Sequence, residues 1–102
     1  MIHTAIDENL SSGTLADIRN GLSWVRDHHH NAKPRLVRIP VDDFQKAVGK
    51  IVTMMMQPFA PTVCGLPCEP FERSRPAVVC VADDDTNLER ESARTLEFSP
   101  VG

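Results

Sequence analysis

The residues best suited to chemistry in this chain are its three cysteines. Cys64 and Cys68 are separated by three residues in a proline-rich stretch, and Cys80 follows twelve positions later in an apolar run. Thiolates and imidazoles are the ligands that structural zinc prefers, and two cysteines a few residues apart can hold one ion from a tight loop. One hypothesis is therefore a zinc-stabilised domain in which Cys64, Cys68, Cys80 and His29 bind the metal.

The same cysteines allow two other interpretations. Cys64 and Cys68 enclose a proline, Pro67, as in a thiol-redox protein, although the usual redox motif has two intervening residues and sits at a helix N-terminus. Cys80 lies in the apolar run 77–82, where a cysteine usually packs as a small hydrophobic residue. The third interpretation is therefore that the thiols are inert.

Three consecutive histidines, His28, His29 and His30, fall where a helix is expected to end. Imidazoles at that position can bond the last free carbonyls and interact favourably with the negative end of the helix dipole. Adjacent helical residues point about 100° apart, so the three rings cannot all reach one ion. The pattern favours a structural helix end, with one of these histidines left as a possible zinc ligand.

The composition restricts the class of protein. The chain has 102 residues, a net charge of −3 and a hydrophobic fraction of 41%, which predicts a single small domain. We expect no direct nucleic-acid binding, because that needs a basic face, and no membrane association, because no apolar run approaches the ~20 residues that cross a bilayer. The lack of a secretory pattern favours a cytoplasmic location, where thiols stay reduced. The odd number of cysteines leaves at least one of them unpaired within the chain.

Hydrophobic periodicity predicts two amphipathic helices. The first begins at a cap near Ser11 and ends near His28, and the second follows a capping box formed by Asp42 and Gln45. The buried stripes of the two helices consist of Leu15, Ile18, Leu22 and Val25 in the first, and Phe44, Val48, Ile51 and Met55, flanked by Ala47 and Met54, in the second.

Short alternating or β-branched runs predict strands over 2–6, 36–41 and 77–82. Between them we expect a Pro/Cys-containing loop over 58–76, and after them a weak helix over 86–96 and a flexible tail over 97–102. The fold class is therefore α+β, or a small two-layer α/β domain. Two helices would pack on a two- or three-stranded sheet beside a long proline-rich loop.

The sequence contains no nucleophile–base pair, phosphate-binding glycine loop or other catalytic motif. We therefore expect a non-enzymatic protein that binds another protein, of a kind that resembles small phage- or mobile-element-encoded inhibitors in size and composition. Large apolar residues and acidic groups are the expected contact residues, because buried aromatic anchors and complementary charge support binding. The predicted contact residues are Trp24, Met56, Phe59, Asp83, Asp84 and Asp85. The three aspartates would face a basic surface of the partner.

Overall fold

The computed structural model describes residues 2–29, 32–82 and 95–98 of the chain. Over these residues it contains two α-helices, one short 3-10 helix (Asp7–Asn9) and six strands. The helices are α1 (Ser12–His28) and α2 (Val41–Met55), and the strands are β1 (Ile2–Ala5), β2 (Ala32–Pro40), β3 (Phe59–Val63), β4 (Leu66–Phe71), β5 (Ala77–Ala82) and β6 (Thr95–Phe98). No helix in these ranges is both long and apolar enough to cross a membrane.

The strands form one mixed sheet in the order β1-β3-β4-β2-β5-β6. Strand β1 runs parallel to β3 and β2 runs parallel to β4, whereas β3–β4, β2–β5 and β5–β6 are antiparallel. The predicted α+β class is confirmed. The predicted two- or three-stranded sheet is wrong, because the sheet of the described residues has six strands.

Much of the predicted proline-rich loop is a β-hairpin. Strands β3 and β4 occupy 59–63 and 66–71 and are joined by the two-residue turn Cys64-Gly65. Both turn residues have positive φ, 51° for Cys64 and 78° for Gly65, as a type I′ hairpin turn requires. Only Thr62 and Val63 find partners in β4, opposite Pro67 and Leu66, so the hairpin ladder is short. The prolines, which lack an N–H donor, shorten the ladder without preventing the strands.

Both helices lie on the same face of the sheet. Ile18 of α1 and Ile51 of α2 meet in one core cluster with Val37 of the central strand β2. A smaller cluster, formed by Val25 with Val78 and Cys80, continues this layer beneath the C-terminal half of α1. The buried stripes predicted for both helices therefore face the sheet. Met54, which was predicted to flank the stripe of α2, is exposed and is described below.

The helix caps were predicted correctly for α1 and wrongly for α2. Ser11 caps α1, because its hydroxyl accepts a hydrogen bond from the backbone N–H of Thr14. At the start of α2 the N-cap is Pro40, with no side-chain cap bond, so the predicted capping box of Asp42 and Gln45 does not form. Instead the carboxylate of Asp43 accepts bonds from the backbone N–H and hydroxyl of Ser11, at 3.2 and 3.1 Å. This contact joins the N-terminal ends of the two helices.

Parts of the predicted C-terminal helix and tail lie outside the described residues, namely 86–94 and 99–102. Thr95 and Leu96, expected at the end of that helix, belong to β6 instead. Residues 97 and 98 also belong to β6, which pairs antiparallel with β5.

Candidate functional site

The three cysteines are distributed over separate parts of the sheet. Cys64 lies in the hairpin turn, Cys68 is buried in β4 and Cys80 is buried in β5. Strand β2 lies between β4 and β5, and Cys80 is offset along β5 from the position level with Cys68, which is that of Val78. Cys68 and Cys80 are therefore more than two strand spacings apart, that is, more than about 9–10 Å. That exceeds the Cα separation of a disulfide. All three thiols are free.

The predicted zinc ligands are not brought together. Cys68 packs in the main core cluster, with Cys64 at its edge, whereas Cys80 packs in the smaller cluster beneath α1. His29 is the C-cap of α1 and lines a cleft near that smaller cluster. Among the residues that the structure describes, no group of three histidine, cysteine or acidic side chains has the arrangement of a metal site.

The surroundings of the thiols favour their protonated form. Burial raises the pKa of Cys68 from 9.0 to about 12, and the negative charge of Asp7 adds to the rise. Burial also raises the pKa of Cys80, and burial followed by Asp7 raises that of Cys64, against an opposing effect of Arg19. Because the thiolate is the nucleophile in thiol–disulfide exchange, these environments give the thiol-redox hypothesis no support.

The Cys64 turn is held by an acidic side chain that is distant in sequence, Asp7 in the short 3-10 helix. The carboxylate of Asp7 accepts a hydrogen bond of 2.9 Å from the backbone N–H of Cys64. The residue in this position has a left-handed φ of 51°, a conformation that asparagine, aspartate and glycine adopt more readily than cysteine. The turn therefore depends on this tertiary contact as well as on Gly65.

Trp24 lies on the outer side of α1 and is 43% exposed. Its ring stacks on that of His28, with a centroid distance of 4.8 Å and an interplanar angle of 18°, and lies 5.0 Å from the ring of His29. His28 also approaches the Trp24 carbonyl, 3.0 Å from its Nδ1. The predicted histidine-rich helix end is confirmed for His28, while His30 lies outside the described residues. The indole is thus partly covered by its own helix.

A cleft of about 220 Å³ borders this cluster. It lies between the end of α1 and the start of β2, and its lining residues are Leu22, Val25, Arg26, His29, Ala32 and Pro34. Pockets that enclose small molecules usually measure ~300–1,000 Å³. This cleft is smaller, so it does not favour a small-molecule site.

Of the large apolar side chains that the structure describes, the three most exposed lie at the C-terminal end of α2. Val52 is 52% exposed, Met54 83% and Met56 90%. The edge strand β1 lies beside them, since the Thr4 hydroxyl is 3.6 Å from the Met55 sulfur. Ile2, which alternation places on the same face of β1 as Thr4, is also exposed. Val52 and Met54 are two residues apart and point to different sides of the helix, and Met56 follows as its C-cap. We call these three residues, together with Ile2, the helix-end patch.

The helix-end patch was only partly foreseen. Met56 was predicted as a contact residue, but Met54 was expected to flank the buried stripe and that expectation was wrong. Its position was available from the sequence, because Met54 lies eight residues after Lys46 and four after Lys50, on one line of a helix. Phe59, also predicted as a contact residue, is half-buried and packs against the main core cluster.

Asp83, Asp84 and Asp85 lie outside the described residues. Their contact with a basic partner stays a prediction from sequence.

Comparison with protein-family models, with curated proteins and with solved structures found no match. The fold and surface define a small two-layer α+β protein with an exposed apolar helix end.

Proposed function

We propose that this protein acts by binding another protein, and that it does so through the helix-end patch. The observation that carries the proposal is the exposure of Val52, Met54 and Met56 within a single turn and its C-cap. A cluster of large apolar side chains on a small protein marks an interaction surface more often than scattered single ones do. Methionine suits such a surface, because its flexible, polarisable side chain adapts to a partner.

The backbone at this end of α2 supports the same proposal. Met56 is the C-cap and has a left-handed φ of 53° and ψ of 21°, where glycine is the usual residue. The large side chain at this position is 90% exposed and therefore gains little from packing within the fold. An external contact gives a reason for methionine at a position where glycine is less strained.

Trp24 provides a second, weaker contact in this proposal. Its ring already contacts His28 and His29, so less of it is open to a partner than of the methionines. An inhibitor-type role and a cytoplasmic setting complete the proposal, and the three free thiols fit a reducing compartment.

A photo-crosslinking amino acid at Met54 tests the proposal in the organism that makes the protein. We expect a discrete crosslinked protein from this position and none from the same amino acid at Ala16, an exposed position on α1. A Val52→Ser/Met56→Ser variant should lower the yield at least about tenfold, since apolar contact is lost, whereas Trp24→Ala should lower it less. Equal crosslinking from Met54 and Ala16 would contradict the proposal.

A further inference from the structure

The outer edge of β1 presents free backbone hydrogen-bonding groups. Within the described residues β1 pairs only with β3 and ends the sheet. The backbone N–H of Ile6 donates to the carbonyl of Thr62 at 2.8 Å. Because successive residues of a strand direct their backbone groups to opposite edges, Thr4 also bonds towards β3, and the N–H and C=O groups of His3 and Ala5 point outward. No backbone bond joins these outward groups to another part of the described chain.

This edge lacks the features that usually prevent pairing with another chain. Natural edge strands commonly carry a charged residue, a proline or a bulge. Strand β6, at the opposite edge, contains Glu97. Strand β1 (Ile2–Ala5) contains no lysine, arginine, aspartate, glutamate or proline, and its register with β3 is regular over all four residues. The edge of β1 is therefore open to a further strand.

The apolar layer between α2 and the sheet is also uncovered at this edge. Ile2 and Thr4 share the face of β1 that α2 approaches, since the Thr4 hydroxyl donates to the Met55 sulfur at 3.6 Å. Ile2 is nevertheless 47% exposed, and Met56, which follows Met55 as the C-cap, is 90% exposed. A strand added beside β1 would cover Ile2 and continue this layer.

We infer that β1 pairs antiparallel with β1 of a second copy of the chain, about a two-fold axis that passes beside Thr4. This register sets His3 of each copy opposite Ala5 of the other, and each such pair exchanges two N–H···O bonds. All four outward groups of each copy are then satisfied. The spacing of these groups is its own complement when the strand is reversed, and the uncharged edge brings no like charges together. Both features favour a second copy as the occupant, and the two-fold axis closes the assembly as a dimer.

The dimer goes beyond the proposed function and is compatible with it. An axis perpendicular to the sheet leaves the helices of both copies on the same face of one continuous sheet, with six strands from each copy. The two helix-end patches then flank the joint between the copies. They form one larger surface for the other protein that we propose as the binding partner.

Sedimentation equilibrium of the intact protein over a range of micromolar concentrations tests the inference, and we expect a reversible monomer–dimer equilibrium. His3→Lys/Ala5→Lys sets lysines opposite lysines across the joint at two exposed positions and should weaken the dimer at least tenfold. Ala16→Lys/Ser23→Lys adds the same charge at exposed positions of α1 and should change it by less than twofold. A protein that is monomeric throughout, or a dimer that tolerates the lysines in β1, would overturn the inference.

Cysteine substitutions in β1 test the register. Opposed residues of a non-hydrogen-bonded pair have Cα atoms about 4.5 Å apart, which is within the range of a disulfide. Thr4→Cys should therefore link two copies under mild oxidation, with the bond located by mass spectrometry. Ala5→Cys is the control: Ala5 is the more exposed residue, but the two copies of it would lie roughly 8 Å apart. A link through Ala5→Cys and none through Thr4→Cys would contradict the register.

Photo-crosslinking from Met54 separates this inference from the proposed function. A monomeric protein that still crosslinks to another protein would overturn the dimer and leave the proposed function standing. If that crosslink were also lost in His3→Lys/Ala5→Lys, β1 would pair with the other protein and not with a second copy. A dimer that crosslinks only to itself would support the inference and contradict the proposed function.

Discussion

Both α-helices of the described residues have a glycine in their interior, and the two glycines have different surroundings. Gly21 of α1 is buried, and a Cβ atom there would lie 3.3 Å from the Val78 side chain of β5. Gly49 of α2 is exposed, with open space above it. The first glycine is explained by the approach of helix to sheet, and the second is not explained by any contact within the fold.

The exposed apolar residues of the two helices also differ, in whether other side chains of the protein cover them. On α1 the single large example, Trp24, is stacked against His28 and His29 of its own C-terminal end. On α2, Val52 and Met54 extend into solvent together with Met56. The comparison teaches that α1 is built mainly for packing, whereas α2 packs on one side and presents an outward surface on the other.

Substitution of leucine for each of the two glycines should give the largest difference in the free energy of unfolding between the helices. Gly21→Leu forces a side chain against Val78, and overpacking of this kind lowers the free energy of unfolding by about 2–3 kcal/mol. Gly49→Leu should not lower it, because leucine is the better helix former in open space. Urea denaturation measures both. Similar losses in the two variants would remove the contrast between the helices.

Truncation of one valine in each helix should give the next largest difference in the free energy of unfolding. Val25 of α1 is buried and Val52 of α2 is about half exposed. Val25→Ala should lower the free energy of unfolding by about 2 kcal/mol through lost burial and a residual cavity, and Val52→Ala by less than about 0.5 kcal/mol. Thermal and urea unfolding would report both values. A large loss for Val52→Ala would mean that this side chain contributes to packing and not only to an outer surface.

The smallest predicted effect is a pH dependence of stability, which arises in the core layer that both helices cover. Cys68 lies there, and its pKa is raised from 9.0 to about 12. Because the raised pKa belongs to the folded state, the contribution of this thiol is complete below pH 9 and is lost as the pH rises from 9 to 12. At pH 10 the loss should be about 1 kcal/mol.

Cys68→Ala provides the control for this titration. The variant should lose less stability than the parent between pH 8 and 10, when both are compared by urea unfolding at each pH. Identical slopes for the two proteins would show that the layer beneath α2 is open to water. The two helices would then differ in how well they exclude water from the sheet as well as in their outer surfaces.

Local features of the sequence predicted the two helices well. The Ser11 cap and the spacing of Ile18 and Val25 place α1 as the structure has it, because capping and helical periodicity depend only on neighbouring residues. The buried strand over 77–82 was also predicted, since its β-branched run suits a strand inside a sheet.

The hairpin shows where local inference failed. The prolines at 61, 67 and 70 predicted a loop, but β3 is flanked by β1 and β4, and β4 by β2. Much of the pairing in this region joins strands distant in sequence, such as Val37 with Cys68 and Thr4 with Pro61. Such pairs are not visible in the spacing of nearby residues.

The sequence by itself determined the α+β class and the packed sides of both helices, and it left the role of the cysteines open. The tertiary structure decided the rest. It placed Cys80 in a different core cluster from Cys64 and Cys68, joined Asp43 to Ser11 and left Met54 in solvent. The physical reason is that periodicity fixes which residues share a face of a helix, whereas the order of strands in a sheet decides which faces meet and which remain exposed.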